Sequence, residues 1–246
     1  VSLHAEEKEH LREKGENIRK GFQTLLSWGL EEYPNEQEVS QIREIKNLAG
    51  KNIIQAVQDD FFETEYSKET IAIFHVPQKD DCHIFLRQSD YRILFDEQSA
   101  NPQRKRILLQ ALSHEITHLA DFSGKTQFSA QLFRDLQKTP GGKELIQQFS
   151  EKLGKNHKNW GKLWKDNIFG NQEEIQTELL AHLLSGNTDA DMQHILNAIR
   201  NTLGEEYVKK LREDMKQSVK TLEPENLEKG LLAASNTQSS DKSNVG

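Results

Sequence analysis

A single cysteine, Cys82, stands in a chain of 246 residues. No intramolecular disulfide can form, and a zinc site built on thiolates is excluded, so any metal must be held by histidines and carboxylates. No run of about 18 apolar residues occurs, and no membrane-spanning helix is expected. Positive charge is in deficit: 32 Lys and Arg stand against 39 Asp and Glu, a net charge of -7 at pH 7. That balance argues against a nucleic-acid partner gripped through its phosphates, and clusters such as Arg104-Lys105-Arg106 read as solvated faces. The opening Val1-Ser2 is not followed by a basic and then an apolar segment, so a leader is expected to be absent or already removed. No internal repeat is visible. With 35% hydrophobic and 29% charged residues, the length allows one sizeable core and an extra helical lobe.

Leu11, Ile18, Phe22, Leu25, Leu26 and Trp28 recur among dense charges, which predicts an amphipathic helix over 4–30, closed near Gly29 and Pro34. A second helical stretch is expected over about 36–62. Residues 1–62 thus read as an N-terminal helical lobe, either separate or part of the domain that follows. At Ile71-Ala72-Ile73-Phe74-His75-Val76, β-branched and aromatic residues crowd together and predict a strand. Residues 83–87 and 91–95, separated by Gln88-Ser89-Asp90, read as a hairpin. Asn101-Pro102 supplies an N-cap followed by the position where proline suits a helix start, and Gly124 a stop. Helices are then expected over about 127–138, 142–153, 158–166, 172–185, 189–203 and 204–221. The composition from Pro224 onward predicts a disordered tail, 223–246. The class is α+β: a helix-rich domain over 63–222 with a small sheet before the helix that holds His114.

The segment His114-Glu115-Ile116-Thr117-His118 carries the chemistry. Positions four apart on a helix differ by about 40° around the axis and about 6 Å along it, so both imidazoles can converge on one ion. Glu115 lies about 100° from His114, beside such an ion, where it can take a proton from water as general base. Histidine is 9 of 246 residues, so chance yields this pattern only about 0.03 times per chain. The surrounding helix adds weight. Leu108, Leu109, Leu112, Ile116 and Leu119 form an apolar arc that must face a core, with His118 and Asp121 on the opposite side.

A catalytic zinc takes a third protein donor and leaves its fourth position to water. Within Glu173-Glu174-Ile175-Gln176-Thr177-Glu178-Leu179-Leu180-Ala181-His182, Glu178 lies nearer the buried edge of the helix than Glu174. A carboxylate at the rim of an apolar face is costly without a use, which favours Glu178 as the ligand. Glu173 and Glu174 read as a solvated charge run.

These two segments resemble the gluzincin metallopeptidases, in which HExxH on one helix is joined by a glutamate from a later one. More narrowly, Ser113 to Phe122 together with Thr177 to Leu184 resemble the catalytic domain of anthrax toxin lethal factor and its relatives. The resemblance implies a zincin-like fold, Zn2+ held by His114, His118 and Glu178, Glu115 as base, and Asp121 orienting a histidine. The family's transition-state tyrosine has no counterpart between Trp160 and Glu178. His182 stands where relatives carry an acidic residue, and three roles are open to it: replacing the tyrosine in catalysis, binding substrate, or packing. His157 reads as exposed.

The expected activity is therefore zinc-dependent endopeptidase action on a protein or peptide, with a strand, 91–95, offering its edge to an extended substrate. The family's habit implies a secreted bacterial toxin or effector, delivered into a host cell and cutting a host protein, its tail after Pro224 holding an export signal. Without that habit the compartment would be the cytoplasm. The alternative is a non-catalytic helical interaction protein with a structural or vestigial zinc site.

Overall fold

In the computed structural model, which describes residues 23–31, 54–61, 72–78, 81–95, 101–123, 126–156 and 172–221, a small mixed sheet leads into a run of helices. Its strands are β1 (Ile54–Val57), β2 (Ala72–Gln78) and β3 (Asp81–Arg87), in the order β1-β3-β2. The hairpin is β2 with β3, antiparallel through Ala72↔Leu86 and His75↔His83, with an irregularity between His75 and Gln78. Pro77 falls in that irregular stretch. Proline lacks the N–H a ladder needs, so it is confined to outer strands and bulges, and β2 is an outer strand. β1 runs parallel to β3, Ile54 opposite Ile84 and Val57 opposite Arg87.

Two expectations are corrected by this arrangement. Residues 54–57 are a strand and not part of a helix running to 62. Their β-branched sequence suits a pleated position, which β3 supplies. Residues 91–95 are helical, within α1 (Gln88–Phe95), so they cannot form a hairpin with 83–87. Gln88-Ser89-Asp90 is the first turn of that helix. Ser and Asp mark helix starts as readily as hairpin turns, and here Asp59 Oδ1 accepts the Ser89 N–H at 3.1 Å. Tyr91 and Phe95, one turn apart, then pack with their rings tilted and centroids at 4.7 Å.

The site helix is α2 (Pro102–Ser123). It begins as its sequence predicts, with Asn101 Oδ1 accepting the Arg104 N–H at 3.0 Å. Arg104 also fastens it to α1: its Nε and Nη2 donate to the two oxygens of buried Asp90 at 2.8 and 2.7 Å. After α2 come α3 (Phe128–Lys138), α4 (Gly142–Asn156), α5 (Gln172–Ser185), α6 (Ala190–Leu203) and α7 (Glu205–Lys220). The helix expected over 158–166, His157, the tail 223–246 and residues 1–22 lie outside the described residues. Among the described residues no helix is long and apolar enough to cross a membrane.

Leu108, Leu109, Leu112 and Ile116 on α2 enter one core with Leu132 and Leu136 of α3 and Leu179, Leu180 and Leu183 of α5. Each fully buried leucine contributes about 1.5–3 kcal/mol by leaving water. The helical stretch 23–29 belongs to the same core through Leu25, Leu26 and Trp28. It approaches α2 so closely that a Cβ on Gly29 would stand 2.3 Å from Ile116 Cγ2. Ser113, just before His114, donates its hydroxyl to the Gly29 carbonyl. On the other side of α2, Asp121 is buried, and its Oδ1 accepts the Ser129 N–H at 3.1 Å, holding the start of α3.

On α7, buried Arg212 donates from Nη1 to the carbonyls of Leu30 and Glu31, at 2.9 and 3.1 Å, and from Nη2 to that of Leu184 at 2.9 Å. One guanidinium thus occupies the carbonyl ends of two helical segments, where unpaired C=O groups and the helix dipole both favour a cation.

Candidate metal centre

The i,i+4 spacing on α2 brings the imidazoles together as geometry requires: His118 Nε2 lies 3.1 Å from His114 Nε2. Glu178 reaches them from α5, the helix packed along α2. Its Oε1 is 3.2 Å from His118 Nε2 and its Oε2 is 3.4 Å from His114 Nε2. All three side chains are largely enclosed, with 17%, 12% and 19% exposure for His114, His118 and Glu178. These three residues form the one group of possible metal ligands found among the described residues.

The spacing can be tested against an ion. Bonds of about 2.0–2.1 Å directed to the corners of a tetrahedron put neighbouring donor atoms about 3.3–3.4 Å apart. The two nitrogens, 3.1 Å apart, come near that spacing, and each has a different oxygen of the Glu178 carboxylate beside it, at 3.2 and 3.4 Å, so that the carboxylate closes the third side of the group. Two imidazoles and a carboxylate are also a donor set that zinc accepts, so the residues fit the ion that the sequence led us to expect.

Electrostatics bind the trio. Burial alone would raise the Glu178 carboxyl, but His118 and His114 overcome it and hold that carboxyl well below the ordinary range. Burial would lower His118, yet the charges of Glu178, Glu115 and Asp121 reverse the sign and raise it. Glu115 is half-buried; burial pushes its carboxyl up, against His114 and His118 and with the help of Glu178. Asp121 is raised by burial, against its bonds to Ser129 and the charge of His118. It therefore acts on His118 electrostatically while anchoring α3 by hydrogen bond.

His182 falls outside the set of three. Its Nε2 is 3.5 Å from Glu178 Oε2, and its ring packs against His114 with centroids 4.5 Å apart and against Phe149 at 6.0 Å. Burial, then the charge of His114, lowers its pKa to about 3, a shift that favours the neutral ring. Glu174, the other carboxylate weighed as ligand, is not in the group. Sequence reasoning missed Asn187, whose Nδ2 is 3.1 Å from His182 Nδ1. The signal was its place directly after Gly186, the glycine that ends α5. It also missed Ser113 and Arg212, which carry no spacing pattern of their own.

Comparison of the chain with protein-family models, with characterised proteins and with solved structures finds no match.

Proposed function

We propose that this chain is a zinc-dependent endopeptidase of zincin-like build, with His114, His118 and Glu178 as metal ligands and Glu115 as general base. The observation that carries the reading is the convergence of the two imidazole nitrogens, 3.1 Å apart, on the Glu178 carboxylate, whose two oxygens lie 3.2 and 3.4 Å from them, a donor set that zinc accepts. Among the described residues three protein donors come together, the number that a catalytic site takes.

Zinc, when bound, supplies a Lewis acid that acidifies water and polarises a carbonyl. Glu115 follows His114 on the same turn of α2, takes the proton that water gives up, and returns it to the leaving amine. A carboxyl raised by burial is better matched to that double duty than one at its ordinary value. The substrate is a protein or peptide. Since 91–95 is helical, the strand that could receive an extended segment is β2, an outer strand of the sheet that packs on α2.

The test is metal content together with cleavage of a peptide library read by mass spectrometry, for wild type and Glu115→Gln. Wild type should hold zinc and cleave; Glu115→Gln should hold zinc and lose about 10²–10⁴-fold in rate. Zinc retained by a wild type that cleaves nothing would replace this reading with a structural site in an interaction protein. Cleavage confined to non-peptide amides would keep the chemistry and change the substrate.

A further inference from the structure

We propose that Asn187 and His182 are positioning residues of the metal centre: Asn187 fixes the tautomer of His182 so that an N–H faces the ligand carboxylate of Glu178. This deepens the reading above and rests on Glu178 being a ligand.

Gly186 has φ +79°, a left-handed conformation that glycine adopts without strain, and its N–H donates to the His182 carbonyl at 2.8 Å. The chain therefore turns back over its own last turn. Asn187, next in line, is fixed by two contacts. Its backbone N–H donates to Gln193 Oε1 at 3.1 Å, and its Oδ1 accepts the Asp189 N–H at 2.8 Å. With the amide oxygen engaged by an N–H, the end of the amide that meets His182 Nδ1 at 3.1 Å is the NH₂ group. An amide NH₂ only donates, so Nδ1 must accept. A neutral imidazole accepting at Nδ1 carries its proton on Nε2, the atom 3.5 Å from Glu178 Oε2.

The surroundings hold this relay in place. His114 and Phe149 flank the His182 ring. Gln110, one turn before His114 on α2, donates to the Ser185 carbonyl at 3.0 Å. A side chain at 186 would come within 2.9 Å of that same Gln110 amide. The loop bearing Asn187 is thus tied to the helix bearing the histidine ligands. An N–H facing Oε2 favours negative charge on the carboxylate, whereas the opposite tautomer would turn a lone pair toward it.

Ring ¹⁵N NMR of the zinc-free wild type should find His182 protonated at Nε2 and bare at Nδ1. In Asn187→Asp, a carboxylate accepts where the amide donated while still serving the Asp189 N–H, so Nδ1 must take a proton. Nε2 then presents a lone pair to Glu178, or the ring brings a positive charge beside the ion. Either way zinc affinity, measured by competition with a chromogenic chelator, should fall about 10–100-fold. His182→Phe, which keeps the ring packing, should lose as much. Nδ1–H in the wild type would overturn the relay, as would wild-type zinc affinity in both variants. A wild type that binds no zinc defeats the metal reading instead, and the zinc-free tautomer still decides the relay.

Discussion

Gly29 and Ile116 meet with no room for a methyl group between them: a Cβ at 29 would stand 2.3 Å from Cγ2 and 2.6 Å from Cβ of Ile116. Ile116 lies inside the segment from His114 to His118, between Glu115 and Thr117. The N-terminal helical stretch therefore sets the back wall of the site helix, and packing there reaches the donors two residues away on either side.

Gly29→Ala should destabilise the fold by about 1–3 kcal/mol through overpacking. Combining it with Ile116→Ala should cost less than the two changes summed, because each relieves the other. Urea unfolding of the two single variants and the double variant measures the coupling.

Zinc should raise the midpoint of thermal unfolding, since the three donors converge only in the folded chain. At a free zinc concentration 100 times Kd the gain is about 2.7 kcal/mol. His118→Ala and Glu178→Ala should remove the shift, and Glu115→Gln should keep it. Scanning calorimetry with zinc and with a chelator separates the three cases.

Arg212 serves three carbonyls at once, two of them, Leu30 and Leu184, through buried bonds. Truncation to Met leaves those oxygens without their donor, at about 1–3 kcal/mol for an unsatisfied buried group. Arg212→Met should therefore cost at least that much, and Arg212→Lys should recover only part, lacking the fork that reaches two directions. Denaturant midpoints at constant slope would establish it.

Asp189 caps α6, its Oδ1 accepting the Met192 N–H at 2.9 Å. That bond first, then Lys152, lowers its carboxyl below the ordinary value. A carboxyl depressed in the folded state binds its proton more readily when unfolded, so its contribution to stability rises with pH. The contribution is complete above the unfolded value of about 3.9 and is lost as pH falls through the lower folded value. Asp189→Ala should thus cost about 1 kcal/mol at neutral pH and progressively less below about pH 4. Chemical unfolding across that range should find the wild-type and variant curves converging on the acid side.

How far the sequence discloses this arrangement depends on the range of the interactions involved. His114 and His118 are legible because one helical turn places them, and Glu178 is preferred over Glu174 because a single helix face separates them. Each inference needs only local geometry. β1 is different: four residues become a strand only because β3 lies beside them. Gln88-Ser89-Asp90 is ambiguous between a hairpin turn and a helix start, and the choice falls to Asp59, which lies in another part of the chain. Asn187 carries no motif; its part in the site depends on how the chain folds back after Gly186. Arg212 reads as a surface charge on an amphipathic helix until the two segment ends it seals are in place.

The third donor comes from a helix that follows α2 only after α3 and α4. In the unfolded chain His114 and His118 are near neighbours, while Glu178 is held away by a long flexible loop whose closure costs entropy. Metal capture by the full set must therefore follow docking of α5 on α2. During synthesis from the N-terminus, a chain whose α5 has not yet emerged offers only His114 and His118 of this set. On the proposed reading, hydrolytic competence arrives late in folding, after the core around the site.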